Sequence, residues 1–274
     1  MRLQRSAPGA ETRVRKPAQL GAWGKNAVAL LLTGAGGFVD AVGYIALFQV
    51  FTANMSGNSI HIGMYLSQGD WLSLLRPLCA VAFYVVGLLL TRVAIEIAGR
   101  TGFTRIASFA FALEACLLVW FALATPKMHL GRLVQMDSSA YFGLVAMLSV
   151  AMGVQAATLT HFGALTVYTT FVTGTLTKMT ESATRALFWA WDELIQTGIS
   201  HIVENAARQK DVREGLILAL VWLAYVAGGA LGVLAKARWE LHALYFPVVL
   251  LVLLVVLDVF RPLDVEEERR QTAS

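Results

Sequence analysis

The chain has 274 residues, 57% of them hydrophobic and 15% charged, with a net charge of +4 and a mean hydropathy of +0.62. A soluble globular protein is about 25% charged, so this composition excludes a soluble enzyme and points to an integral membrane protein of several helices. The modest positive charge forms no basic face of the kind that binds nucleic acid, and Cys79 and Cys116 lie in apolar runs without metal-ligand spacing, so no metal or cofactor is expected.

Residues 1–26 carry Arg2, Arg5, Arg13, Arg15, Lys16 and Lys25 against one acid, Glu11. They read as a basic, disordered cytoplasmic tail, because the apolar run that follows is too long for the core of a signal peptide. That run, 27–49, is the first of six long apolar segments, each near the roughly 20 residues that cross a bilayer as helix. Its Gly34, Gly36, Gly37 and Gly43 suit close helix packing. It also holds Asp40, and a carboxylate at that depth faces a cavity or a partner. Two roles fit it: a coupling carboxylate for protons or cations, or an acceptor that holds the following loop through Ser56 or Asn58. Residues 48–52 are aromatic and β-branched and favour extended backbone. They lead into Ser56-Gly57-Asn58 and a short segment, 56–67, with Ser56 as helix cap and His61 one turn on. Segments 74–97 and 104–124 follow. Arg92, Glu96 and Arg100 share a helix face and predict an interfacial ion-pair ladder. Glu114 is a second intramembrane carboxylate, open to the same two roles as Asp40.

Segment 140–161 contains Gly153-Val154-Gln155-Ala156-Ala157 and places His161 at a helix end. Residues 166–172 are again aromatic and β-branched, and they precede Thr173-Gly174-Thr175, with Thr173 as cap of a short segment, 174–190, that carries Lys178. Residues 182–206 predict a cytoplasmic interfacial helix, with Phe188, Trp189, Leu194, Ile195, Ile199 and Ile202 mostly on one face. A solvated connecting helix is the plainer alternative. Segments 215–236, with Gly228, Gly229 and Gly232 as a packing surface, and 241–260 complete the set, before a cytoplasmic tail, 261–274.

The two halves, 27–124 and 140–260, share one plan: long helix, small-residue motif, short segment, two long helices. Glycine spacing is nearly equal, 37 to 57 and 153 to 174, and His61 and Lys178 each stand four residues past the second glycine. Such register points to duplication. The expected fold is all-α: six long transmembrane helices plus two short re-entrant half-helix elements. Each half then crosses the membrane three times, which makes the repeats inverted, 3+3. This layout puts Arg100, Arg105, the 178–213 loop and both termini on the inside. Arg76, Lys127, Arg132, Lys236 and Arg238 are left outside, as the positive-inside rule requires.

Two half-helix N-termini meeting near the midplane would offer unpaired amide donors to an anionic or polar solute. The candidate binding residues are Ser56, Gly57, Asn58, Thr173, Gly174 and Thr175, with Gln155, His61 and Lys178 beside them and Asp40 and Glu114 as coupling groups. Small residues that only permit tight crossing are the competing account. The sequence has no phosphate loop, nucleophile elbow, zinc signature or triad spacing, so no enzyme is expected.

Gly37-Phe38-Val39-Asp40-Ala41 followed by Asn54-Met55-Ser56-Gly57-Asn58, echoed at Gly153-Val154-Gln155 and Thr173-Gly174-Thr175, resembles the YoaK-type family of bacterial multi-pass membrane proteins over about residues 27–260. Ser56 stands where that family leads one to expect Thr, which keeps the hydroxyl. Ala156 stands where Asn is expected, which removes a polar group from the second half. The resemblance implies a bacterial inner-membrane location and supplies no substrate. The inverted layout is similar, in architecture only, to nucleobase and sulfate transporters. The function expected is a small-solute transporter or channel in the lipid bilayer, with a homodimer as the suggested assembly. A non-transporting membrane scaffold or regulatory protein is the alternative, and a membrane enzyme acting on lipid a weaker third.

Overall fold

The computed structural model describes residues 21–103, 105–129, 138–162 and 172–263. In chain order these form α1 (Ala22–Ala46), α2 (Met55–Gln68), α3 (Trp71–Thr101), α4 (Ile106–His129), α5 (Ser139–Phe162), α6 (Val172–Gln196), α7 (Ile199–Asn205), α8 (Lys210–Trp239), a 3-10 turn (Glu240–Leu244) and α9 (Tyr245–Phe260). Among the described residues there is no strand. Helix is what a bilayer selects, because it satisfies its own backbone where water cannot.

Among the described residues, five helical stretches are long and apolar enough to cross a membrane: Trp23–Ala46, Trp71–Thr101, Ile106–Thr125, Ser139–Thr160 and Lys210–Phe260. The last has 51 residues, far more than the roughly 20 of one crossing. It breaks where Glu240 turns to φ 51 and the 3-10 turn redirects the chain. The six separate long segments read from the sequence therefore become five stretches, the fifth in two pieces, with α9 only 16 residues long.

Three local expectations differ from the structure. Residues 48–52 are not an extended strand: Phe48 (φ 51) and Gln49 (φ 69) are left-handed, and the chain reverses. The Tyr141 hydroxyl donates to Leu47 O at 2.9 Å and Gln49 N donates to Tyr44 O at 2.8 Å, so the reversal is held by tertiary bonds that propensity cannot report. The matching stretch, 166–172, lies outside the described residues except for Val172, which opens α6. The expected interfacial helix over 182–206 is not separate. Nothing in 178–196 breaks a helix, so α6 continues to Gln196, and Gly198 at φ 89 divides it from α7. The ladder on α3 is half formed. Arg100 pairs with Glu96 at 2.9 Å, while Arg92 donates to Thr160 of α5.

The core is built by two close crossings, α1 on α8 and α5 on α3. A Cβ at Gly37 would lie 2.2 Å from Tyr225 O, and one at Gly228 would lie 2.0 Å from Gly34 O. In the other crossing, a Cβ at Gly153 would lie 2.3 Å from Tyr84 O, and one at Gly87 2.4 Å from Val150 O. Each crossing thus sets a Tyr-x-x-Gly pair against a pair whose second member is glycine, backbone to backbone. Asp258 of α9 holds the start of α4 and the segment after α9, accepting from Ser108 N (3.2 Å), Ser108 Oγ (2.5 Å) and Leu263 N (2.8 Å). Asp70 caps α3, and its bonds from Ser73 hold its carboxyl below the ordinary range.

These approaches predict that Gly37→Ala and Gly228→Ala each lower thermal stability in detergent by about 1–3 kcal/mol, the usual cost of overpacking. Gly63→Ala, where nothing lies within 4 Å, leaves stability unchanged or raises it, because alanine is the better helix former. Melting curves of the three variants check both statements.

Candidate functional site

The segment between α1 and α2 has no helix to satisfy its backbone, so side chains must. Asp40, 4% exposed, lies one turn beyond the Gly37 crossing. Its Oδ1 accepts from Thr52 N and Ala53 N, both at 2.8 Å, and from Thr52 Oγ1 at 3.3 Å. Its Oδ2 accepts from the Tyr225 hydroxyl of α8 at 2.9 Å. Asn58 grips the same segment from the other side: Phe51 N donates to its Oδ1 at 3.1 Å, and its Nδ2 donates to Phe51 O at 2.7 Å. The acceptor role weighed for Asp40 is thus present in the geometry, and its partners are Thr52, Ala53 and Tyr225 rather than Ser56 or Asn58.

The cap of α2 is Asn54, not Ser56. Asn54 Oδ1 accepts from Gly57 N at 3.3 Å and from Ser56 Oγ at 2.7 Å, so Ser56 sits inside the first turn. Thr173 likewise lies within α6, which begins at Val172. Polar residues with short side chains do suit these positions, but α2 begins at Met55, so Asn54 holds the cap position and accepts from the amide three residues on.

The first turns of α2 and α6 open onto one cavity of about 430 Å³, lined by Ala53, Asn54, Met55, Ser56, Tyr84, Val172, Thr173 and Tyr225. Its two tyrosines are the same ones whose backbones meet glycine at the two crossings. Close packing of the long helices therefore sets the cavity walls. Thr173 also borders a wider, open hollow along α6, lined by Leu176, Thr177, Thr180, Glu181, Thr184 and Arg185. A polar helix face thus runs from the cavity toward the α6–α7 end.

Of the residues proposed from sequence, the structure brings Ser56 and Thr173 together. Asn58 is fully buried as the clamp on Phe51, and Gly57 packs against the Phe51 ring. Thr175 is buried and does not line the cavity, and its Oγ1 has no hydrogen-bond partner among the described residues. Gly174 and Lys178 are exposed on α6, and His61 stacks on Phe51 with ring centroids 6.3 Å apart. Gln155 lies against α1 at Gly36, and Glu114 is buried in α4; neither lines the cavity. Asn54, Tyr84 and Tyr225 were missed. The tyrosines had a signal: Tyr84-x-x-Gly87 and Tyr225-x-x-Gly228 occupy the same place in the two halves.

A family described as "Protein of unknown function (DUF1275)" matches residues 28–257, and the chain belongs to this family. The chain is 25% identical to the UPF0700 transmembrane protein YoaK of Bacillus subtilis (strain 168) over 232 residues, which cover 83% of this chain and 91% of that protein. No solved structure matches it.

Asp40→Ala leaves the Thr52 and Ala53 amides buried without an acceptor and is expected to remove roughly 2–6 kcal/mol of stability, at about 1–3 kcal/mol for each stranded donor. Tyr225→Phe deletes only one donor to the carboxylate and is expected to remove about 1.5–3 kcal/mol. Thermal unfolding in detergent, with amide hydrogen exchange followed at residues 51–53, checks the order of the two variants.

Proposed function

We propose that this member of the DUF1275 family is a small-solute transporter or channel, with an anionic or polar solute bound between the first turns of α2 and α6. One observation carries the reading: two helix N-terminal turns from separate halves of the chain open onto a single cavity of about 430 Å³. That volume suits a small solute. Helix N-termini direct backbone donors and positive dipole ends at what lies before them. Ser56, Asn54 and Thr173 supply side-chain hydrogen bonds, and the polar face of α6 supplies a route to one surface.

In this reading α8 and α9 cross separately, giving six crossings, with α2 and α6 as re-entrant half-helices and the halves as inverted 3+3 repeats. The basic residues then place both termini in the cytoplasm, at the inner membrane. Asp40 couples solute to ion through Tyr225, a residue that lines the cavity and whose hydroxyl donates to the carboxylate. A change in either partner is felt by the other.

Purified protein in liposomes, on a solid-supported membrane, is challenged with small anions, amino acids and nucleobases. A solute-specific current is expected. Thr173→Val should raise the half-saturating concentration about tenfold, the loss of one hydrogen bond worth about 1.4 kcal/mol. Asp40→Asn should abolish the coupled current while the protein remains folded. Silence across the panel in both current and labelled-solute uptake, from folded protein, contradicts transport and leaves the scaffold reading, in which the same polar contacts serve only to lock helices.

A further inference from the structure

Glu114 and Gln155 are each 1% exposed, on the packed helices α4 and α5. Both carboxylate oxygens of Glu114, and both the amide nitrogen and oxygen of Gln155, are buried without a hydrogen-bond partner among the described residues. Buried polar atoms are nearly always paired, so two whole side chains left unpaired call for a ligand that satisfies them.

The two residues share a layer. Leu32 of α1, Phe111 of α4 and Thr158 of α5 line one small cavity of about 10 Å³, with Lys25 and Leu263. Its lining is apolar, so it marks the level of the layer rather than a site for water. One turn inward from that cavity along each helix lie Gly36, Glu114 and Gln155. Gln155 Oε1 would be 2.8 Å from a Cβ at Gly36, which fixes its head against α1 at this level. Ionisable groups on the neighbouring elements are committed elsewhere or distant. Asp258 of α9 takes Ser108 and Leu263, Asp40 of α1 takes Thr52, Ala53 and Tyr225, and Arg92 of α3 donates to Thr160. Tyr141 of α5 donates to Leu47 O, while Glu240 and His242 of the 3-10 turn are exposed. Lys25 stands about three turns below Gly36. No cation faces Glu114 from these partners.

We infer that Glu114 is a buried proton-binding site, with Gln155 as the amide that holds it in both states. Burial without a counter-ion tolerates the neutral acid and not the bare carboxylate. The acid O–H donates to Gln155 Oε1; on release the proton passes to solvent, and Gln155 Nε2 donates to the carboxylate left behind. A proton is favoured over a metal cation because one carboxylate and one amide cannot fill the six or so oxygen positions that hard cations require. The site deepens the transport reading by naming the coupling ion, yet it stands or falls without any solute.

Infrared difference spectroscopy on the full chain in lipid tests it, with wild type, Glu114→Gln, Glu114→Asp and Gln155→Leu compared at neutral pH. Wild type should show the carbonyl stretch of a protonated carboxylic acid, and the band should shift in D2O. It should vanish in Glu114→Gln, move in Glu114→Asp, and move in Gln155→Leu as the acid loses its partner. A wild-type spectrum without the band overturns the proposal. So does a band that survives Glu114→Gln and disappears in Asp258→Asn, or one removed by adding Na+ at fixed pH, which would make the site a sodium site. Presence of the band in protein that shows no solute flux would leave this site intact and count against the transport reading alone.

Discussion

Asp40 accepts hydrogen bonds from the consecutive amides of Thr52 and Ala53, in a segment that passes through the bundle without a helix of its own. In water those amides would need no help. In a bilayer each unsatisfied group costs several kcal/mol, so irregular backbone survives only where protein supplies the partners. The left-handed Phe48 and Gln49 add strain of order 1–3 kcal/mol each. The carboxylate, the Asn58 clamp and the Tyr141 hydroxyl together offset it. They fix where α2 begins and hence where its first turn points.

The same carboxylate ties that loop to the opposite half of the chain. Its second oxygen receives the Tyr225 hydroxyl, and the backbone of Tyr225 is pressed against Gly37, one turn before Asp40. The glycine contact sets how close α8 comes, and that closeness brings the hydroxyl within 2.9 Å. Packing and polar chemistry are thus one device. The α3–α5 crossing repeats the packing through Gly153 and Tyr84 but meets Ala156 where the first half has Asp40. Only one half carries the carboxylate, so the two sides of the cavity are chemically unequal.

Much of the scaffold was legible because its signals are local and periodic. Long apolar runs gave the membrane helices, and the glycines at 34, 37 and 228 gave their contact surface. The paired Gly-to-Gly spacing sets Ser56 and Thr173 at matching places, and both line the cavity, although each lies inside its helix rather than at the cap. What the sequence hid depends on contacts between distant residues. The helix preference of 240–244 does not reveal that Glu240 turns left-handed. The β-branched character of 48–52 argues for extension, and tertiary bonds from Tyr141 and Asp40 impose a reversal instead. Asn54 takes the cap from Ser56 by a difference of two residues, below what capping preference resolves. That Glu114 and Gln155 share a layer is invisible until three helices are stacked.

The central claim is that the first turns of α2 and α6 face each other across one cavity when the protein is in a membrane. The most direct measurement is cross-linking of Ser56→Cys with Thr173→Cys in lipid, on a background with Cys79 and Cys116 replaced by Ser, using a short bifunctional thiol reagent and mass spectrometry of the joined peptides. The account predicts an intramolecular link between the two positions and none between Thr173→Cys and Ser67→Cys at the far end of α2. Singly reactive cysteines that never join would contradict it, because the two motifs would then face different surroundings and no shared site would exist.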